Sequence, residues 1–318
     1  MDNPAWAAIR DRWPAAELGE PLSGGPADRS ELHRVLLGDQ RAVLKISRGG
    51  GATIERAALR VLAGRVGPLL LADGPGWLLT EDLGSGERMA PEAWLGALGA
   101  AVGEVHRATR GLSWNQPAVE LDHVAFRWRR ALLALPGGLA SAGIAIGGKA
   151  EGQLRRVVHE LERPGQPRVL SHGDLCPENT LVVGGRVRIL DWEAAGPRHP
   201  AFDVYPSTAR WLRARPREWT LNAESLFLAG WETGFQGPPL APRAVAATAV
   251  AWAAVAAHNL PARVRLDAPA GDYTHRERIV RALAGAADRA AEGYPALAAQ
   301  LARASERLAR TWELDDVR

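Results

Sequence analysis

With 318 residues, 47% of them hydrophobic, the chain can bury a sizeable core in one large domain or in two smaller ones sharing a cleft. Its 39 basic residues against 36 acidic ones leave a formal charge of only +3, too even a balance to argue for nucleic acid, and the arginines fall largely on Ala/Leu-rich segments that read as solvated helix faces. The lone cysteine, Cys176, leaves no disulfide framework and suits a reducing cytoplasm, the N-terminus MDNPAWAAIRDRW has no secretory pattern, and the uncharged run at 244–258 is shorter than the ~20 apolar residues of a membrane span.

In chain order, residues 2–13 read as a short amphipathic helix, followed by turn signals at Pro21 and Ser23-Gly24-Gly25-Pro26. Residues 32–37 and 42–46 form a hairpin split by Gly38-Asp39. Three glycines at 49–51 break the chain, and Thr53 can cap a helix from Ile54 to about Arg65 with Leu59 and Leu62 on one face. A strand pair at 69–72 and 77–81 is split by Asp73-Gly74-Pro75-Gly76. After Leu83-Gly84-Ser85-Gly86 the pattern becomes helical, at 91–109, 119–135, 149–163 and through the last third. Only 169–171, 180–183 and 187–190 interrupt it as strands, and the Gly-rich stretch 137–148 reads as a loop. The expectation is an α+β chain of a sheet-rich segment, 1–83, and a mainly helical one, 84–318, with a hinge at about 80–86.

The chemistry concentrates in Ser171-His172-Gly173-Asp174-Leu175-Cys176-Pro177-Glu178-Asn179, followed by Val187-Arg188-Ile189-Leu190-Asp191-Trp192-Glu193. Phosphoryl transfer needs a group to orient the attacking hydroxyl and oxygen ligands for the Mg²⁺ that neutralises phosphate charge. Asp174 and Asn179 are spaced as in the protein-kinase catalytic loop, so the carboxylate can aim at a hydroxyl while the amide oxygen turns to a metal. Asp191 ends a short hydrophobic strand, a rigid place from which to hold Mg²⁺. Taken singly, each of the three could merely shape a turn. Their order, with a hairpin between them, favours the catalytic reading.

The segments HGDLCPEN and ILDWE resemble the His-Gly-Asp-x-x-x-x-Asn loop and Asp-Trp/Phe-Glu element of the aminoglycoside phosphotransferase and choline kinase superfamily. The strongest match covers about 170–203, with weaker agreement over 22–83. The resemblance implies a protein-kinase-like two-lobed fold, ATP (in some members GTP) with Mg²⁺, and phosphorylation of a small-molecule hydroxyl. It implies Asp174 as catalytic base, Asn179 and Asp191 as metal ligands, and His172 and Asp203 as structural supports. A kinase also needs a phosphate-binding lysine held by a helix glutamate. Lys45, inside Ala42-Val43-Leu44-Lys45-Ile46, and Glu55 are the candidates. Ser30 is the candidate phosphate contact, although the glycine-rich segment before it does not match G-x-G-x-x-G. Backbone groups from Glu81 to Leu83 would bind the purine edge.

Gly173 stands where protein kinases carry the Arg that reads a phosphorylated activation loop, and Pro197 and Pro200 follow Asp191 closely. That leaves no room for a peptide platform, so the expected partner is a small hydroxyl acceptor. An antibiotic-like or sugar-like compound comes first, and a cationic aminoglycoside is favoured by Glu178, Glu193, Glu313, Asp315 and Asp316 if these lie near the cleft. An amino alcohol such as choline or homoserine is the alternative, and a nucleotide-binding scaffold a third reading that the intact catalytic set weighs against. Trp114, Trp128, Trp211 and Trp231 could line a pocket or fill a core. No nucleic-acid or membrane partner is expected, and oligomeric state is not written in the sequence.

Overall fold

The computed structural model describes residues 4–23, 30–47, 51–112, 118–163, 166–204, 217–258 and 273–314. After helix α1 (Pro4–Arg12) come β1 (Ala16–Ser23), β2 (Ser30–Leu37), β3 (Gln40–Ser47), helix α2 (Gly51–Leu62), β4 (Leu70–Gly74) and β5 (Trp77–Glu81). The five strands form one antiparallel sheet in the order β1-β2-β3-β5-β4. β1 lies where only turn signals were read. Pro21 is accommodated because β1 is an edge strand and its ladder shifts register there. The β2–β3 hairpin closes through Gly38-Asp39, and Gly38 takes the left-handed φ of +65° that a two-residue hairpin needs at its first central position. Pro75-Gly76 closes β4 onto β5 with Gly76 at φ +75°, the arrangement of a type II turn.

Strand alternation explains the two faces of the sheet. Val35, Leu37, Ala42, Leu44 and Leu79 bury one face against Ala5 and Ile9 of α1. Lys45, one residue on from Leu44, is therefore on the other face. Helix α2 buries Ile54, Glu55, Ala58, Leu59 and Leu62, a stripe at helical spacing that carries one carboxylate. Each buried Ile or Leu contributes roughly 2 kcal/mol of gross transfer energy.

Beyond the sheet lie α3 (Pro91–Thr109), α4 (Ala118–Ser141), α5 (Gly148–Glu162), β6 (Val169–Ser171), β7 (Thr180–Val183), β8 (Arg186–Ile189) and β9 (Gly196–Arg198). Helices α6 (Arg217–Phe235), α7 (Pro242–Ala257), α8 (Tyr273–Ala290) and α9 (Pro295–Thr311) follow, and short 3₁₀ turns lie at Pro177–Asn179, Trp192–Ala194 and Pro200–Asp203. Spatial proximity divides the chain into two units: residues 1–121, 169–197 and 226–237 in one, and 122–168, 198–225 and 238–318 in the other.

In the first unit, α3 crosses the last turns of α6 at backbone contact. A Cβ on Gly99, Gly103, Gly230 or Gly234 would land on a carbonyl oxygen of the opposite helix. Trp231 seals the crossing, donating Nε1–H to Nδ1 of His106 at 2.9 Å and stacking on Phe235. The second unit is a helical core of Leu132, Leu139, Leu154, Val157, Val250, Leu283, Leu301 and Leu308, into which the Ala-rich α7 is buried on nearly all sides. None of the described helices is long and apolar enough to cross a membrane. The loop expected at 137–148 begins later: α4 continues through Pro136 to Ser141 because Leu135 and Leu139 anchor its last turns in the core.

Candidate active site

The expected catalytic, nucleotide-contacting and metal-ligating residues all lie in the first unit, and five of them are on elements whose local structure accounts for their positions. Lys45 is opposite Leu78 in the β3–β5 ladder and reaches the buried stripe of α2, where its Nζ donates to Glu55 Oε2 at 2.7 Å. The same ammonium donates to Asp191 Oδ1 at 2.5 Å and lies 3.7 Å from Glu193 Oε2. Glu193, expected from the sequence only as a carboxylate that could attract a cationic acceptor, lies beside Lys45. The signal was its spacing, two residues past Asp191 in a short 3₁₀ turn.

Asp174 and Asn179 are held by the backbone around them. Gly173 at φ +79° turns the chain, and the Asp174 N–H donates to Nδ1 of His172 at 3.2 Å. The Nε2 of His172 bonds the Leu190 carbonyl at 2.7 Å, so Nε2 must carry the proton and the ring is the neutral Nε2–H tautomer. His172 also sits edge-on to Trp192, whose Nε1–H donates to the Ile189 carbonyl at 2.9 Å. One imidazole thus ties the Asp174 loop to the strand end that leads to Asp191. Asn179 Nδ2 donates to the Asp174 carbonyl at 2.9 Å. Because that partner can only accept, the amide oxygen Oδ1 is left as a hard acceptor. The Leu190 N–H donates to the Asn179 carbonyl at 2.8 Å, and Thr180 pairs with Ile189 in the β7–β8 ladder. The hairpin therefore delivers Asn179 and Asp191 to the same end. Asp191 itself adopts left-handed φ 58°, ψ 63°, a conformation tolerated by Asp but strained for most residues.

The electrostatics follow from the count of charges. One ammonium faces three carboxylates, leaving a formal excess of two negative charges. Burial alone would push the Lys45 ammonium down, but Glu55 and Asp191 outweigh it and hold it above its usual value. Burial pushes Glu55 up, only partly opposed by Lys45. Asn179 Oδ1 and the Asp191 carboxylate are hard oxygen donors, and two surplus negative charges suit a divalent cation that completes its shell with phosphate oxygens. The residues present therefore fit Mg²⁺.

The remaining expected residues are placed as follows. Ser30 pairs with Ser47 across the β2–β3 ladder, with hydroxyls 3.4 Å apart. Leu32 pairs with Lys45, so Ser30 shares the Lys45 face, about 7 Å along the strand. At the end of β5, the N–H groups of Glu81 and Asp82 already donate to the carbonyls of Leu69 and Arg41. The Glu81 side chain pairs with Arg188 at 2.7 Å. Leu83 lies in the turn that follows, where the Gly84 N–H donates to Asp82 at 2.8 Å. Asp203 is in the second unit, where it is buried and its charge supports the buried Arg198, whose guanidinium burial pulls down to about 10. Trp128 and Trp231 are core residues, packed on Phe202 and Phe235. Trp114, Trp211, Asp315 and Asp316 lie outside the described residues.

The sequence pattern of the phosphotransferase enzyme family (APH) matches residues 19–235, which include every expected catalytic, nucleotide-contacting and metal-ligating residue. The chain belongs to that family. It is a small-molecule phosphotransferase with a protein-kinase-like α+β fold. Among solved structures, the phosphotransferase is similar to an aminoglycoside phosphotransferase from Alicyclobacillus acidocaldarius, with TM-score 0.57 and 17% identity over 91% of this chain and 93% of that one. It is likewise similar to the choline kinase LicA of Streptococcus pneumoniae, with TM-score 0.56 and 16% identity over 90% and 100%. A choline/ethanolamine kinase family protein from Mesorhizobium loti gives TM-score 0.54 and 19% identity over 95% and 99%. At these identities the likeness establishes the fold alone. Among proteins of curated function, no sequence match is found.

Proposed function

We propose that the enzyme transfers the terminal phosphoryl group of ATP to a hydroxyl of a small molecule, with Mg²⁺ as cofactor and GTP as a possible second donor. The observation that carries this reading is the Lys45 ammonium bridging Glu55 at 2.7 Å and Asp191 at 2.5 Å, beside a hairpin that presents Asn179. Lys45 would bind the α/β-phosphates, with Glu55 keeping the ammonium in place, and Ser30 on the same sheet face would contact the phosphates. Asn179 Oδ1 and Asp191 would hold the Mg²⁺, which when bound neutralises phosphate charge. The Asp174 carboxylate would orient the acceptor hydroxyl and take its proton as the new O–P bond forms and the bond to the departing nucleoside diphosphate breaks. With the Glu81 and Asp82 N–H groups occupied, the purine edge falls to the Glu81 carbonyl and the Leu83 N–H. In this reading residues 1–83 bind nucleotide, 80–86 form the hinge, 84–318 supply the catalytic and acceptor-binding residues, and the setting is the cytoplasm.

The acceptor is proposed to be an aminoglycoside-like, antibiotic or sugar-like natural product. An amino alcohol is the second reading, favoured by the choline and ethanolamine kinases among the similar structures. The charge argument for a cation is weaker than the sequence suggested, because Glu193 is drawn to Lys45. The test is phosphate transfer from labelled Mg-ATP to a panel of aminoglycosides, macrolides, aminosugars, choline, ethanolamine and homoserine. Turnover of an antibiotic or sugar with choline and homoserine inert supports the first reading, and the reverse pattern supports the second. No Mg-ATP binding at all would overturn the nucleotide assignment.

A further inference from the structure

We infer that Arg188 is a positioning residue for phosphoryl transfer, one guanidinium that locks together the three elements on which the nucleotide site depends. The inference rests on the function proposed above. Alternation in β8 buries Val187 and Ile189 and turns Arg188 to the opposite face. From there its Nη2 donates to the carbonyls of Gly67 at 2.6 Å and Gly64 at 3.1 Å and to Glu81 Oε1 at 2.7 Å, while Nε donates to the Val66 carbonyl at 3.3 Å.

Those acceptors belong to two different working parts, and Arg188 itself to a third. The carbonyls of Gly64, Val66 and Gly67 lie in the turn that ends α2, the helix carrying Glu55. That turn forms because Ala63 and Gly64 are both left-handed, at φ 48° and 74°, which ends the helix and leaves the next carbonyls without helical partners. Glu81 is the last residue of β5, at the entrance to the hinge, and its Oε1 also accepts from the Leu69 N–H at 3.0 Å. Arg188 itself is three residues before Asp191. The Ile189 N–H adds a bond to the Val66 carbonyl at 2.9 Å, and a Cβ on Gly67 would lie 3.1 Å from Trp192 Nε1, so the turn also packs directly beyond Asp191. The planar fork of an arginine holds several acceptors in fixed directions from two separate nitrogens, which the single rotatable ammonium of a lysine does not. Without it, the Glu55 helix, the hinge strand and the Asp191 strand lose their common fastening, and Lys45 is held between Glu55 and Asp191 only if those two stay in register.

The test is calorimetric titration of Mg-ADP into the full chain, well below each variant's melting temperature. Arg188→Met should weaken binding by about tenfold, and Arg188→Lys, which keeps charge without the fork, should recover part of that loss. Glu81→Gln should weaken it by about threefold and add little in the Arg188→Met background, because both act through one bond. Gly230→Ala, in the α3–α6 crossing, controls for general loosening: at a comparable drop in melting temperature it should bind within about twofold of wild type. Should Arg188→Met fail to fold, Arg188→Lys and Glu81→Gln carry the same test. Arg188 and Glu81 variants that bind Mg-ADP no worse than Gly230→Ala would make the cluster a structural anchor only and overturn the inference. A wild-type chain that binds no Mg-ADP would instead sink the proposed function, and this inference with it.

Discussion

Lys45 and Glu55 are shifted in the same direction by different causes. The ammonium is raised because Glu55 and Asp191 outweigh its burial, so it stays charged throughout the neutral range. The Glu55 carboxyl is raised because its burial outweighs a lysine it shares with Asp191 and Glu193. A carboxyl whose folded value exceeds its usual 4.5 favours the fold while protonated, so its contribution is full below 4.5 and is lost as pH rises through the raised value. Wild type should therefore lose stability relative to Glu55→Gln as pH rises above the usual carboxylate value of 4.5, read as the difference between paired thermal melts. A difference that does not change with pH would contradict a Glu55 carboxyl raised by burial. At this scale the sequence was informative wherever chemistry is local. That Asn179 and Asp191 come to one end of a hairpin was legible because its spacing fixes their relation, and that Lys45 faces a partner because a charge inside an apolar strand must face something. Arg188 was not legible, since its partners are separated from it by 107 to 124 residues and a single arginine in a strand carries no periodic signal.

The elements most exposed to single substitutions are α3 and α6. Their glycines look alike in sequence but differ in what a methyl group would meet. A Cβ on Gly230 would land on the Gly96 carbonyl oxygen, which cannot move without the helix, so Gly230→Ala should destabilise by about 1–3 kcal/mol. A Cβ on Gly96 meets nothing nearer than the Leu226 carbonyl at 4.0 Å, so Gly96→Ala should be neutral or stabilising by about 0.4–1 kcal/mol. Urea unfolding of the two variants checks the opposite signs, and equal losses would mean the crossing is looser than described. Most element types were readable from hydrophobic periodicity, α3 with its bounds unchanged. The failures have physical causes. β1 tolerates a proline because it is an edge with a register shift, and α4 runs through Pro136 because core leucines on either side outweigh one missing backbone donor.

For the whole molecule, α+β content was legible from the order of strand and helix patterns, and the kinase-like fold from the family resemblance of HGDLCPEN and ILDWE. The grouping of residues 169–197 and 226–237 with the sheet was not, because it depends on contacts distant in sequence. The central claim is that this scaffold positions Asp174 to orient and deprotonate a hydroxyl while separate residues hold the nucleotide. Asp174→Asn tests that division most directly. Mg-ATP affinity by calorimetry should stay within about twofold of wild type, while phosphate transfer to the identified acceptor, or to water in its absence, falls by about 10²–10⁴-fold. A variant that retains turnover within about threefold of wild type would contradict the account.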